Sequence, residues 1–334
     1  MNPHVGGARG QHEGCPLHAG HLKRKKMTPT QQKEAKHMEN NTSIPARPLS
    51  LFRKALQFPL TRIVLGTGFV AIGVVAAQVS ITLLKQGFAL SSPLPLPFVL
   101  LEIILVLLAT SVAYYAYVHL VEQRPVTELE RREAVPGLST GVLLGVGLFT
   151  LVMSVLWLLG VYHVTGMNDW SVLIPALADD LPSAFVQQLL LLGILFRITE
   201  QALGTWWALL ISVLLFGLVH LLTIPHITVM AMLANLLVGL LFAVAYLQTR
   251  SLWFPIALHA ALDWIKDAIF GTGVAGTSGT ALNGLLQAHL VGPQMLTGGA
   301  SGAEASLVTI VVLLAAALLL LLRAKQQGRL GKPF

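Results

Sequence analysis

Eight stretches of this chain are apolar over roughly twenty residues each, long enough for every one to cross a bilayer as a helix. They run about 62–84, 97–121, 138–163, 182–201, 205–224, 228–248, 252–270 and 305–322. Backbone amides in hydrocarbon find no water, so a spanning segment must satisfy its own hydrogen bonds, which a helix does. The fold class that follows is all-α: a polytopic membrane protein with about eight transmembrane helices. Composition agrees, with 54% of the 334 residues hydrophobic and only 11% charged, against about 25% charged in a soluble domain. The single cysteine, Cys15, leaves no intrachain disulfide and no cysteine-based metal cluster.

Charge placement sets the expected topology. Arg53, Lys54 and Arg62 precede the first span, and Arg124, Arg131 and Arg132 separate the second from the third. Arg197 ends the fourth, Arg250 lies between the sixth and seventh, and Arg323, Lys325, Arg329 and Lys332 follow the eighth. With eight crossings all of these fall on one side; the other side holds Lys85 and Lys266. Basic residues mark the cytoplasmic face, so both termini are expected in the cytoplasm. The net charge of +7 therefore reads as membrane topology, with the lipid bilayer as a partner and no nucleic acid implied.

The expected organisation is a basic, disordered tail over 1–60, a transmembrane pair over 61–135 and a core over 136–272. An extracytoplasmic loop follows over 273–304, then a last helix and basic tail over 305–334. The tail carries the run Lys23–Lys26 and no apolar stretch beside its basic residues, so no cleaved signal is expected; Met1, Met27 and Met38 are all candidate starts. Residues 164–181 are expected to form an interfacial helix leading into the fourth span.

Polar side chains inside spans are costly and mark function or helix packing. Gln187 and Gln188 are adjacent, so they point about 100° apart on a helix, one toward the interior and one toward a neighbour. Interhelical amide hydrogen bonding, worth about 0.6–2 kcal/mol in lipid, is the plain alternative to a functional role, and Asn235 is open to the same reading. His259 and Asp263 are four apart and share a helix face, where the carboxylate can orient the imidazole or join it on a metal. Pairing of Asp263 with Lys266 is the structural alternative. His220 closes the apolar run from Trp206. Glu102 is expected to face a neighbouring helix, Asp179, Asp180 and His226 to meet solvent, and Arg197 and Glu200 to mark the cytoplasmic end of the fourth span.

Together these residues resemble the CPBP family of intramembrane metalloproteases (CAAX proteases and bacteriocin-processing enzymes, the Abi or Rce1-like family). That family is marked by EExxxR, FxxxH and HxxxN/D in order. The second motif stands here as Phe216-Gly217-Leu218-Val219-His220 and the third as His259-Ala260-Ala261-Leu262-Asp263. The flanks LGTWWALLISVLLFGLVH and LQTRSLWFPIALH are close to family wording, and QRPVTELE and GPQMLTGGASGAEAS resemble a bacterial branch, so the resemblance spans roughly 120–322. It implies a CPBP-protease-like bundle in a bacterial inner membrane, acting on a membrane peptide or protein, with oligomeric state open.

The first motif departs. This chain reads Gln187-Gln188-Leu189-Leu190-Leu191-Leu192, then Gly193. In the family a first-motif glutamate and the two histidines are thought to bind a metal or activate water. An amide neither takes a proton from water nor neutralises a divalent ion, and loss of a general base costs about 10²–10⁴ in rate. Leu192 in place of arginine fits the same change, because a buried cation without its carboxylates is unpaired. His220, His259 and Asp263 still offer three ligands for Zn²⁺, without a separate base. The expectation is a family member whose peptidase chemistry is lost or impaired and which binds a peptide or protein. Its alternative is an active metalloendopeptidase on His220, His259 and Asp263, with Asp179 or Asp180 as substitute carboxylates. A transporter is disfavoured by the lack of a long internal repeat.

Overall fold

Run length becomes helix length in this protein. In a computed structural model, residues 55–90, 94–223, 227–271 and 284–330 are described, all within the compact unit Leu51–Phe334. The tail before residue 55, His226 and residues 272–283 of the expected loop lie outside the described residues.

Seven helices are long and apolar enough to cross a membrane: α1 Pro59–Gly87, α2 Leu96–Glu122, α3 Arg131–Leu158, α4 Trp170–Leu203, α5 Thr205–Thr223, α6 Val229–Thr249 and α8 Leu307–Gln326. The seventh run forms α7, Trp253–Trp264 continued by a π-helical turn over Ile265–Ile269. It is shorter than the others and its stretch from Phe254 to Leu262 is buried throughout, so it is the inner helix of the bundle. The outer helices leave Ile72, Leu108, Leu143, Leu222 and Leu319 more than half exposed, a surface whose solvent is lipid. This is an all-α multi-pass membrane protein.

Glycines let α3 and α7 touch. Gly137, Gly141 and Gly145 recur every fourth residue on α3, facing Trp253, Ala257 and Ala261 of α7. A Cβ at Gly141 would sit 2.6 Å from Ala257 Cβ and from the Phe254 carbonyl oxygen. Backbones approach closely in membranes through small residues at this spacing.

Two connections carry short strands. α3 stops at Leu158 rather than 163, because Gly160 takes φ +67°, a left-handed stop that glycine tolerates. Tyr162–Met167 then forms β1, antiparallel to β2, Leu286–Leu290. The described part of the 273–304 loop is thus a strand followed by short helical turns, tied to the end of α7 where the Leu285 amide donates to the Ala268 carbonyl at 2.7 Å.

Charge gathers at the end where α2, α4 and α6 finish. Arg197 is buried and pairs with Glu122, which also takes Arg62 and Arg124. Arg124 grips Glu128 with two hydrogen bonds of 2.6 and 2.8 Å, the planar fork geometry arginine favours. Burial alone would raise the Glu128 carboxyl, yet the Arg124 bonds and charge prevail and hold it below the usual range. Arg250 reaches Glu200 at 3.0 Å. Toward the other end of α2, Lys85 of α1 meets Glu102 at 3.3 Å, which bears out the expectation that Glu102 faces a neighbouring helix.

Candidate functional site

The bundle assembles the site from four helices. α7, seated on the glycine stripe of α3, presents His259 and Asp263; α4 presents the glutamines; α5 presents His220; α6 presents Asn235 and Phe242. The His259 ring lies 4.4 Å from Phe242 and 6.2 Å from Phe216, centroid to centroid. Aromatic walls thus fix its plane, and hydrogen bonds fix its nitrogens.

Nδ1 of His259 lies 2.8 Å from Nε2 of Gln188, whose amide donates to it. With Nδ1 accepting, the ring proton sits on Nε2, which faces Oδ2 of Asp263 at 3.1 Å. A chain Gln188–His259–Asp263 results, and both ring nitrogens are engaged. Gln188 is wholly buried and its Oε1 has no hydrogen-bond partner. Gln187 takes the other direction, donating to Ser183 Oγ at 2.8 Å. The two glutamines therefore diverge as their spacing requires.

His220 uses Nδ1–H to hold the Phe216 carbonyl at 2.9 Å and stacks 4.5 Å from the Phe216 ring. That bond fixes its tautomer and leaves the Nε2 lone pair unused. Phe216 also abuts Phe242 edge-on at 5.8 Å, so the second motif joins the third through packing.

His220, His259, Asp263, Gln187 and Asn235 line one cavity of about 230 Å³. Leu192 does not reach it: that residue is fully buried in the π-helical stretch Leu189–Phe196. Asn235 spends its amide on the Ala231 carbonyl at 3.0 Å.

The cavity also holds a charge cluster, of which sequence reasoning missed Asp267 and Glu304. Lys266 lies 3.1 Å from Glu304, 3.4 Å from Asp263 and 3.9 Å from Asp267. The predicted Asp263–Lys266 pair exists, and it coexists with the His259 contact. Asp180 lines the same cavity, contrary to the expectation that it meets solvent, because α4 runs inward from Trp170 as one helix and carries the carboxylate with it. Asp179 is exposed. Glu304 is distant in sequence and sits in a Gly/Ala/Ser stretch with no local signal; Asp267, beside Asp263 on one helix, was legible in principle.

A Zn²⁺ shell needs three protein ligands with free lone pairs. His220 has one to offer. His259 has both nitrogens occupied, and Asp263 is shared between His259 and Lys266. Among the described residues no three His, Cys, Asp or Glu side chains come together as a metal-holding group. As arranged, the donor set does not fit the ion.

Residues 169–265 match the model of a family described as type II CAAX prenyl endopeptidase Rce1-like. The matched stretch runs from the residue before α4 to the start of the π turn in α7, and it contains Gln187, Gln188, His220, His259 and Asp263. No curated protein and no solved structure matches the chain. Over residues 169–265, the core that carries the cavity, this chain is similar to the CAAX-protease-like membrane proteins.

Proposed function

We propose that this CAAX-protease-like membrane protein has lost peptidase chemistry and uses the cavity to hold a segment of a membrane peptide or protein. One observation carries the reading: the buried Gln188 amide occupies Nδ1 of His259 at 2.8 Å, where the family places a glutamate. An amide N–H donor at that nitrogen blocks it as a metal ligand and supplies no base, and the neighbouring Gln187 bonds a hydroxyl on its own helix. The cavity sets aromatic and aliphatic walls beside a polar and charged side, a lining that suits a peptide segment with a polar side chain. The reading places the protein in a bacterial inner membrane, with the arginine-rich helix ends and both termini in the cytoplasm.

A second reading has one observation in its favour. Asp180 lines the same cavity as His220 and His259, so a carboxylate stands near the histidines of an active metalloendopeptidase. Metal content separates the two, measured on the detergent-purified chain and on Gln187→Glu, Gln188→Glu, Leu192→Arg. A metal-free wild type beside a Zn²⁺-binding triple variant supports loss of chemistry. About one Zn²⁺ per wild-type chain, removed by His259→Ala, overturns it and favours the peptidase.

A further inference from the structure

Away from the cavity, the two-stranded β1–β2 sheet sets two histidines face to face. His163 and His289 are direct partners in the antiparallel register. Their rings stack with centroids 5.5 Å apart and planes 20° from parallel. Both are exposed.

The His163 ring is also prepared as a ligand. Its Nε2 is bonded to the Gly160 carbonyl at 2.9 Å. A carbonyl accepts only, so Nε2 carries the proton and Nδ1 keeps its lone pair. Metal-binding histidines characteristically give their other N–H to such an acceptor, which fixes tautomer and ring plane and raises basicity. Gly160, with its positive φ, is the turn that aims this carbonyl. Two nitrogens each about 2.0–2.1 Å from one ion lie no more than about 4.2 Å apart, a separation that rings 5.5 Å apart at their centres reach once the unpinned His289 ring turns a nitrogen edge toward Nδ1 of His163.

From this geometry we infer that His163 and His289 form a two-histidine site for a divalent transition ion, with water completing the shell. Imidazole suits Cu²⁺, Ni²⁺ and Zn²⁺, and Cu²⁺ heads their order of affinity. Bound there, the ion cross-links β1 to β2 and so braces the connection before α4 against the one before α8. The site is independent of the cavity and of its proposed function.

The test titrates Cu²⁺ into the full-length chain in detergent, reading bound equivalents and affinity by electron paramagnetic resonance. His4, His12, His18, His21 and His37 provide a background common to every variant. The double variant His163→Thr, His289→Thr keeps good strand formers and is expected to bind one equivalent fewer than wild type. Each single variant should weaken that equivalent by about tenfold or more. His163→Gln, His289→Gln serves as a second replacement if the threonine pair disturbs folding. An unchanged stoichiometry and affinity in the double variant, or a single variant that binds as wild type does, overturns the inference.

Discussion

Gln188 donates its side-chain amide to Nδ1 of His259 over 2.8 Å, and both residues are buried. The bond joins α4 to α7 across 71 residues of sequence. Removing the donor leaves a buried imidazole nitrogen without a partner, at a cost of about 1–3 kcal/mol. Gln188→Leu should therefore lower thermal stability in detergent clearly. Gln187→Leu gives up only a bond to Ser183 on its own helix and should cost about 0.6 kcal/mol or less. Equal losses at the two positions would contradict the unequal roles assigned to them.

The contact between α3 and α7 makes a second, independent expectation. A side chain at Gly141 collides with Ala257 and the Phe254 carbonyl, and backbone cannot yield as a flexible side chain does. Gly141→Val should destabilise by about 1–3 kcal/mol or more and, by pushing α7 outward, disturb His259 as well. Gly147 meets nothing within 4 Å, so Gly147→Ala should stay within about 0.5 kcal/mol of wild type. Unfolding curves for the two variants decide the matter, and matched curves would refute the close approach.

Much of this fold was legible because a lipid solvent demands only that apolar runs be long enough and helical. Helix ends were less so: the run to residue 163 stays apolar past Gly160, and hydropathy alone does not register the glycine that stops the helix. The His259–Asp263 contact was legible because four residues on a helix share a face. Gln188–His259 was not, since no local rule pairs residues so far apart; the family resemblance pointed to the region and the structure supplied the atoms. Arg197 with Glu122, and Lys266 with Glu304, carry no local signal. Asp180 was misplaced because a charge near a predicted span end is ordinarily solvated, while the inward course of α4 is decided by its neighbours.

The charged end of the bundle predicts a pH dependence. Glu128 lies between α2 and α3, its carboxyl held low by Arg124 against the opposing effect of burial. A carboxyl whose folded pKa lies below its unfolded value, ordinarily about 4.3, contributes stability that is complete above the unfolded value. That stability is lost as pH falls through the folded one. Melting temperature should accordingly hold from neutrality down to about pH 5 and drop below about pH 4. Glu128→Gln should be less stable than wild type at neutral pH and lose less on acidification. A variant with the full wild-type acid slope would place the titration elsewhere.

Lys266 is the counter-charge of the cavity. It reaches Glu304 at 3.1 Å and Asp263 at 3.4 Å, with Asp267 at 3.9 Å, so one ammonium serves three carboxylates in a partly buried space. Lys266→Met keeps the length of the stem but withdraws that charge, and loss of hydrogen bonds to charged groups costs about 1.5–3 kcal/mol. Adding Glu304→Gln to Lys266→Met removes the carboxylate that the lysine approached most closely, and should recover part of the loss. In the wild-type background Glu304→Gln alone should be destabilising, because there it takes a partner from Lys266. This reversal of sign is the signature of a coupled pair. If Glu304→Gln has the same effect in both backgrounds, the lysine and the glutamate act separately, and the balance of charge in the cavity rests on Asp263 and Asp267 alone.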